Sequence, residues 1–92
     1  MQEIQCKISG LVQGVFFRSY TKECADKLEL TGYVKNLQDG SVEVVVQSYN
    51  EDLLKEFISK IKEGSPLSKV DSIDTRWSHP EKEFEHFTIE HE

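Results

Sequence analysis

Two stretches of the chain carry residue types that could handle an anion. In Gly10-Leu11-Val12-Gln13-Gly14-Val15-Phe16-Phe17-Arg18 an alternating pattern stops, two glycines bracket a turn, and a helical pattern opens at an arginine. Glycines at 10 and 14 let the backbone take positive φ or come close to a ligand, and a helix starting at Phe17-Arg18 aims free N–H groups at whatever lies in front of it. Backbone donors, a helix N-terminus and a planar guanidinium together suit a phosphate, whose oxygens accept several hydrogen bonds. The second stretch offers Asn36, whose amide accepts and donates without titrating, so it could hold a water in line with a bound phosphoryl group. Spacing alone supports another reading of each: a plain strand-to-helix turn with a surface arginine, and a turn residue ahead of Asp39-Gly40.

The elements that must position these residues follow from periodicity. Ile4, Cys6 and Ile8 alternate with polar neighbours, which predicts a first strand with one apolar face. Phe17, Tyr20 or Thr21, Cys24, Ala25 and Leu28 recur at spacings of three and four, which predicts an amphipathic helix. Leu30 to Asn36 and Ser41 to Ser48 read as two strands of an antiparallel hairpin, with Asp39-Gly40 suited to a tight turn. Asn50 caps a second helix whose apolar face is Leu53, Leu54, Phe57, Ile58 and Ile61, and Gly64 and Pro66 end it. Val70 to Trp77 predicts a fourth strand and Phe84 to Glu90 a fifth, separated by a polar loop over 78–83. This order is an α+β fold, the ferredoxin-like α/β sandwich: βαββαβ with a short extra C-terminal strand, two helices covering one face of an antiparallel sheet. Ninety-two residues support one small domain, 1–92, with one core.

Composition narrows the function classes. A formal net charge of −6 repels nucleic acid and anionic membranes, so an anionic ligand needs a local site such as Arg18 that overrides the field. Exposed aromatics on the middle strands, which RNA binding through this sheet would need, are missing from Val42-Glu43-Val44-Val45-Val46-Gln47. Paired cysteines of a metallochaperone are missing from the Gln13-Gly14 loop, and His79, His86 and His91 lack ligand spacing, so no metal site is expected. Cys6 and Cys24 read as reduced, packed thiols. No apolar run is long enough to span a bilayer and Met1-Gln2-Glu3 opens with an acid, so a cytoplasmic location is expected. The acidic stretches 81–85 and 90–92 read as solvated surface.

Gly10 to Arg18 resembles the acylphosphatase signature G-x-V-Q-G-V-x-F-R, and Gly32-Tyr33-Val34-Lys35-Asn36-Leu37-Gln38-Asp39-Gly40-Ser41-Val42-Glu43 resembles the second signature of that family, G-x-V-x-N-x-x-D-G-x-V-E. The resemblance covers the whole chain. It implies hydrolysis of the carboxyl–phosphate bond of small acyl phosphates by a monomer that uses no metal or organic cofactor. By position, Arg18 matches the phosphate-binding arginine and Asn36 the water-orienting asparagine. The backbone of Gln13, Gly14, Val15, Phe16 and Phe17 matches the phosphate cradle. Leu37 departs from the hydroxyl residue of some relatives, which bears on a secondary contact to Asn36. The alternative is a non-catalytic domain of the same fold that senses or binds a ligand.

Overall fold

The structure, a computed structural model, describes residues 1–91; Glu92, the end of the expected acidic tail, lies outside the described residues. Its elements are β1 (Gln2–Leu11), α1 (Phe17–Lys27), β2 (Thr31–Asn36), β3 (Val42–Ser48), α2 (Glu51–Glu63), β4 (Lys69–Ser78) and β5 (Phe87–Glu90). The strands form one sheet in the order β4-β1-β3-β2-β5. Each of the two βα crossovers skips over one strand, so β1 and β3 end up at the sheet centre. Alternation sends Ile4, Cys6, Ile8, Val34, Val42, Val44 and Val46 to one face, where Phe17 and Ala25 of α1 and Leu54, Phe57 and Ile61 of α2 complete a single core. Among the described residues no helix is long and apolar enough to cross a membrane.

Asn50 caps α2 as expected, its side-chain oxygen accepting from the N–H groups of Asp52 and Leu53. The β2–β3 connection is looser than a two-residue turn. Gly40 N–H donates to Leu37 O at 3.2 Å and Leu37 N–H to Ser41 O at 2.8 Å, while only Gly40 takes positive φ. This is the three-residue hairpin loop built on a turn plus a glycine.

Two expectations are corrected. The sheet is mixed: β5 pairs with β2 in parallel, Gly32 facing Phe87 and Lys35 facing Glu90. The fifth strand also begins at Phe87, where the alternation over 84–90 predicted it earlier. Phe84 instead belongs to a segment that crosses the sheet face opposite the helices, its ring set edge-on to Tyr33 at 5.7 Å. Gln47 lies beneath this crossing, 1% exposed. Its amide is satisfied by Lys82 O, Glu3 Oε1 and the Phe84 N–H, so a polar residue on the face away from the helices is buried and fully bonded.

Candidate active site

The loop between β1 and α1 is pinned by its apolar ends. Val12 and Phe17 are each 1% exposed and drive into the core, whereas Gly14 and Phe16 between them face solvent. Gly14 has φ +73, and a Cβ there would meet only open space. Phe16 holds the N-cap position of α1 with φ 62 and ψ 19, a left-handed backbone that bulky residues rarely adopt, and its side chain makes no capping bond. No backbone N–H from Gln13 to Ser19 donates to a protein acceptor among the described residues. A cleft of about 260 Å³ opens here, lined by Val12, Gly14, Phe16, Phe17, Arg18 and Ser19.

Gly10 does not belong to this cleft. It lies within β1 at a bulge, where an added Cβ would sit 2.2 Å from Lys69 O, so its role is the close approach of β4 and not of a ligand. Gly32, the first glycine of the second motif, is likewise structural: a Cβ would sit 1.8 Å from Val45 O.

Arg18 leaves the first turn of α1 toward β5. One of its Nη atoms donates to Glu90 O at 3.5 Å and stands 3.4 Å from His91 Nδ1. No carboxylate pairs with it among the described residues, so its positive charge is uncompensated in an acidic chain.

Asn36 closes β2. It stands opposite Val42, which faces Ile8 of β1, so Asn36 shares the row that leads to the loop at the end of β1. The pairing of Lys35 with Glu90 brings the Arg18 anchor beside the same strand end. Asn36 does not line the cleft, and its Oδ1 is buried without a hydrogen-bond partner. Leu37, the departure from the second motif, carries no hydroxyl to supply one.

Three contacts around the site were not foreseen from the residues. Gln13 uses its side chain to bridge to the hairpin, Nε2 donating to Leu37 O and to Ser41 O, both at 2.8 Å. The hairpin tip is in turn held by Asp39, which accepts from the N–H and the hydroxyl of Ser41 and pairs with Lys7 at 2.8 Å. The Lys7 ammonium, followed by the Ser41 donors, holds the Asp39 carboxyl well below the usual carboxylate range. The third is Ser65, whose hydroxyl donates to Val15 O at 3.1 Å. Apart from the local Asp39–Ser41 turn, no local pattern announces these contacts, because each joins a side chain to a backbone carbonyl or a neighbouring strand far away in sequence.

The chain is similar to known proteins over nearly its whole length. The family model described as Acylphosphatase matches residues 4–89. An acylphosphatase of Dehalococcoides mccartyi is 35% identical over 91 residues, 99% of this chain and 100% of that protein. One of Syntrophotalea carbinolica is 40% identical over 86 residues, 94% of this chain and 92% of that protein. The crystal structure of acylphosphatase from Bacillus subtilis superposes with a TM-score of 0.93 at 38% identity, covering 97% of this chain and 98% of that one. Matched across its sheet, both helices and the loop that leads into Arg18, the chain belongs to the acylphosphatase family.

Proposed function

We propose that this chain hydrolyses acyl phosphates to a carboxylate and inorganic phosphate, with the loop and Arg18 as the phosphate site and Asn36 as the group that orients water. Membership of the family supports the reaction class. One observation supports this site: among the described residues the N–H groups from Gln13 to Ser19 are free of protein acceptors, and the cleft beside them is lined by Arg18, which has no carboxylate partner. Donors fixed by the fold need no reorganisation when charge builds on the phosphoryl oxygens, and this is how such a site would lower the barrier.

The chemistry proceeds by water attack on phosphorus. The new P–O bond forms as the bond to the carboxylate oxygen breaks, the carboxylate leaves with its electron pair, and the water proton passes to a phosphate oxygen. A carboxylate is a good leaving group, so no strong general acid is needed, and neither motif offers a cysteine or histidine nucleophile. Asn36 Oδ1 is an acceptor unfilled by protein and suits a water O–H. It is out of solvent contact in this conformation, so the reading includes a rotation of the amide about χ2 that presents it to the water. Charge stabilisation falls to Arg18 and the backbone, with no role for a metal.

Steady-state hydrolysis of benzoyl phosphate, with and without chelator and with inorganic phosphate as inhibitor, tests this. Turnover indifferent to chelator and inhibited competitively by phosphate is expected. Phosphate binding without turnover would reduce the chain to a sensing domain.

A further inference from the structure

We propose that Ser65 is a positioning residue for the phosphate loop, acting through the Val15–Phe16 peptide; the inference rests on the loop being the phosphate site. Ser65 follows α2 and is only 5% exposed. Its hydroxyl donates across 50 positions of sequence to Val15 O at 3.1 Å. In a trans peptide the C=O and the following N–H point in opposite directions, and no cis peptide occurs among the described residues. Holding Val15 O inward therefore aims the Phe16 N–H outward, toward the cleft.

The need for such a hold lies in the backbone of Phe16. Turning the 15–16 peptide over changes ψ of Val15 and φ of Phe16 by about half a turn, which would carry Phe16 from φ 62 to negative φ with ψ still 19, out of the left-handed region and into the bridge region open to ordinary side chains. Relaxation would thus remove one donor from the cleft and put a carbonyl oxygen in its place, facing the anion. The Ser65 bond opposes that relaxation. Ser65 is itself well held: its carbonyl accepts from the N–H of Ser68 at 3.0 Å and from the Ser68 hydroxyl at 2.8 Å, and Pro66 follows it directly.

Ser65→Ala, compared with the wild type and Ser65→Thr, tests the proposal by kinetics and by NMR titration with inorganic phosphate. In the wild type the Phe16 amide is expected to be among the most strongly shifted signals on adding phosphate. Ser65→Ala is expected to lose that shift and to raise the phosphate inhibition constant and KM about tenfold, on the scale of one charge-assisted hydrogen bond, with Ser65→Thr recovering most of the loss. A merely structural hydroxyl would lower the melting temperature and leave the inhibition constant unchanged, and that result overturns the proposal. Should Ser65→Ala not fold, the wild-type titration alone decides, because a Phe16 amide indifferent to phosphate also overturns it. A wild type that hydrolyses acyl phosphates beside an unaffected Ser65→Ala defeats only this inference, whereas a wild type that neither binds phosphate nor turns over defeats both.

Discussion

The side-chain amide of Gln13 donates to the backbone carbonyl of Leu37 at 2.8 Å, tying the loop after β1 to the residue that follows Asn36. The same nitrogen reaches Ser41 O, so one side chain spans both ends of the hairpin loop. Gln13→Ala removes both bonds, but Leu37 O keeps the Gly40 N–H and Ser41 O keeps the Leu37 N–H, so the expected loss is about 0.5–1.5 kcal/mol per bond. Gln13→Glu sets a carboxylate against those carbonyls and should cost more. Urea denaturation checks the order, and the reverse order would deny the bridge its part in stability.

Arg18 makes its one backbone contact at the long end of the accepted range and packs little, so its charge outweighs its packing. Arg18→Ala is expected to lower kcat/KM by roughly 10²–10³-fold or more and to abolish phosphate inhibition. The melting temperature should stay within a few degrees. Arg18→Lys should remain poor, because a point charge does not reproduce a planar fork. Ordinary kinetics in either variant would remove Arg18 from the site.

Asn36 separates binding from turnover in the proposed mechanism. Asn36→Ala should cut kcat by about two orders of magnitude, the scale of one lost positioning contact, with phosphate inhibition preserved. Loss of phosphate affinity instead would assign Asn36 to the grip on the anion. Leu37→Thr offers a hydroxyl near the unpartnered Oδ1, and a raised kcat would show that the amide benefits from being held.

The motif glycines divide by what a methyl group would meet. Gly32→Ala drives a Cβ into Val45 O and Gly10→Ala into Lys69 O, so each should cost about 3 kcal/mol or more. Gly14→Ala meets open space and only the left-handed backbone, a cost of about 1–2 kcal/mol. Chemical denaturation of the three variants checks the division, and equal losses would refute it.

Burial pushes the Cys6 thiol up to about 12 from an ordinary value of 9.0. Above pH 9 the unfolded chain has already lost this proton while the folded chain keeps it, so the unfolded state binds fewer protons and stability falls with rising pH between about 9 and 12. Cys6→Val should flatten that part of the pH–stability curve. Native-state thiol labelling at pH 8 should reach the half-buried Cys24 before Cys6.

Both helices and the first three strands were legible because each repeats an apolar period long enough to be read locally, whereas the fourth was read from Val70, Ile73 and Trp77 although Asp71 and Asp74 weaken its alternation. β5 was legible as a strand through Phe87 and Ile89, but nothing in so short a segment encodes a parallel neighbour. The burial of Gln47 was not legible, because it depends on Lys82, from a stretch read as a polar loop, and on Phe84, read as the start of the fifth strand, folding over it. The candidate site was legible where charge and backbone freedom mark it, at Gly14, which takes positive φ, and at Arg18, which lines the cleft. Ser65 and the side chain of Gln13 were not, since a bond to a remote carbonyl imposes no pattern on the neighbouring residues. Gly10 takes the positive φ that was one of the two readings of it, and the other, close approach to a ligand, does not apply, because a glycine needed for strand contact and one needed for a ligand look alike in sequence.

The parallel pairing of β5 with β2 has a kinetic corollary. Arg18 sits near one end of the chain and the carbonyl that steadies it lies 72 positions later, so the orientation of the guanidinium depends on one of the longest loop closures in the fold. Collapse of the helices onto the central strands can bury most of the core before that closure occurs. Recovery of catalytic competence during refolding should then lag behind recovery of secondary structure, making enzymatic activity a clock for the docking of β5.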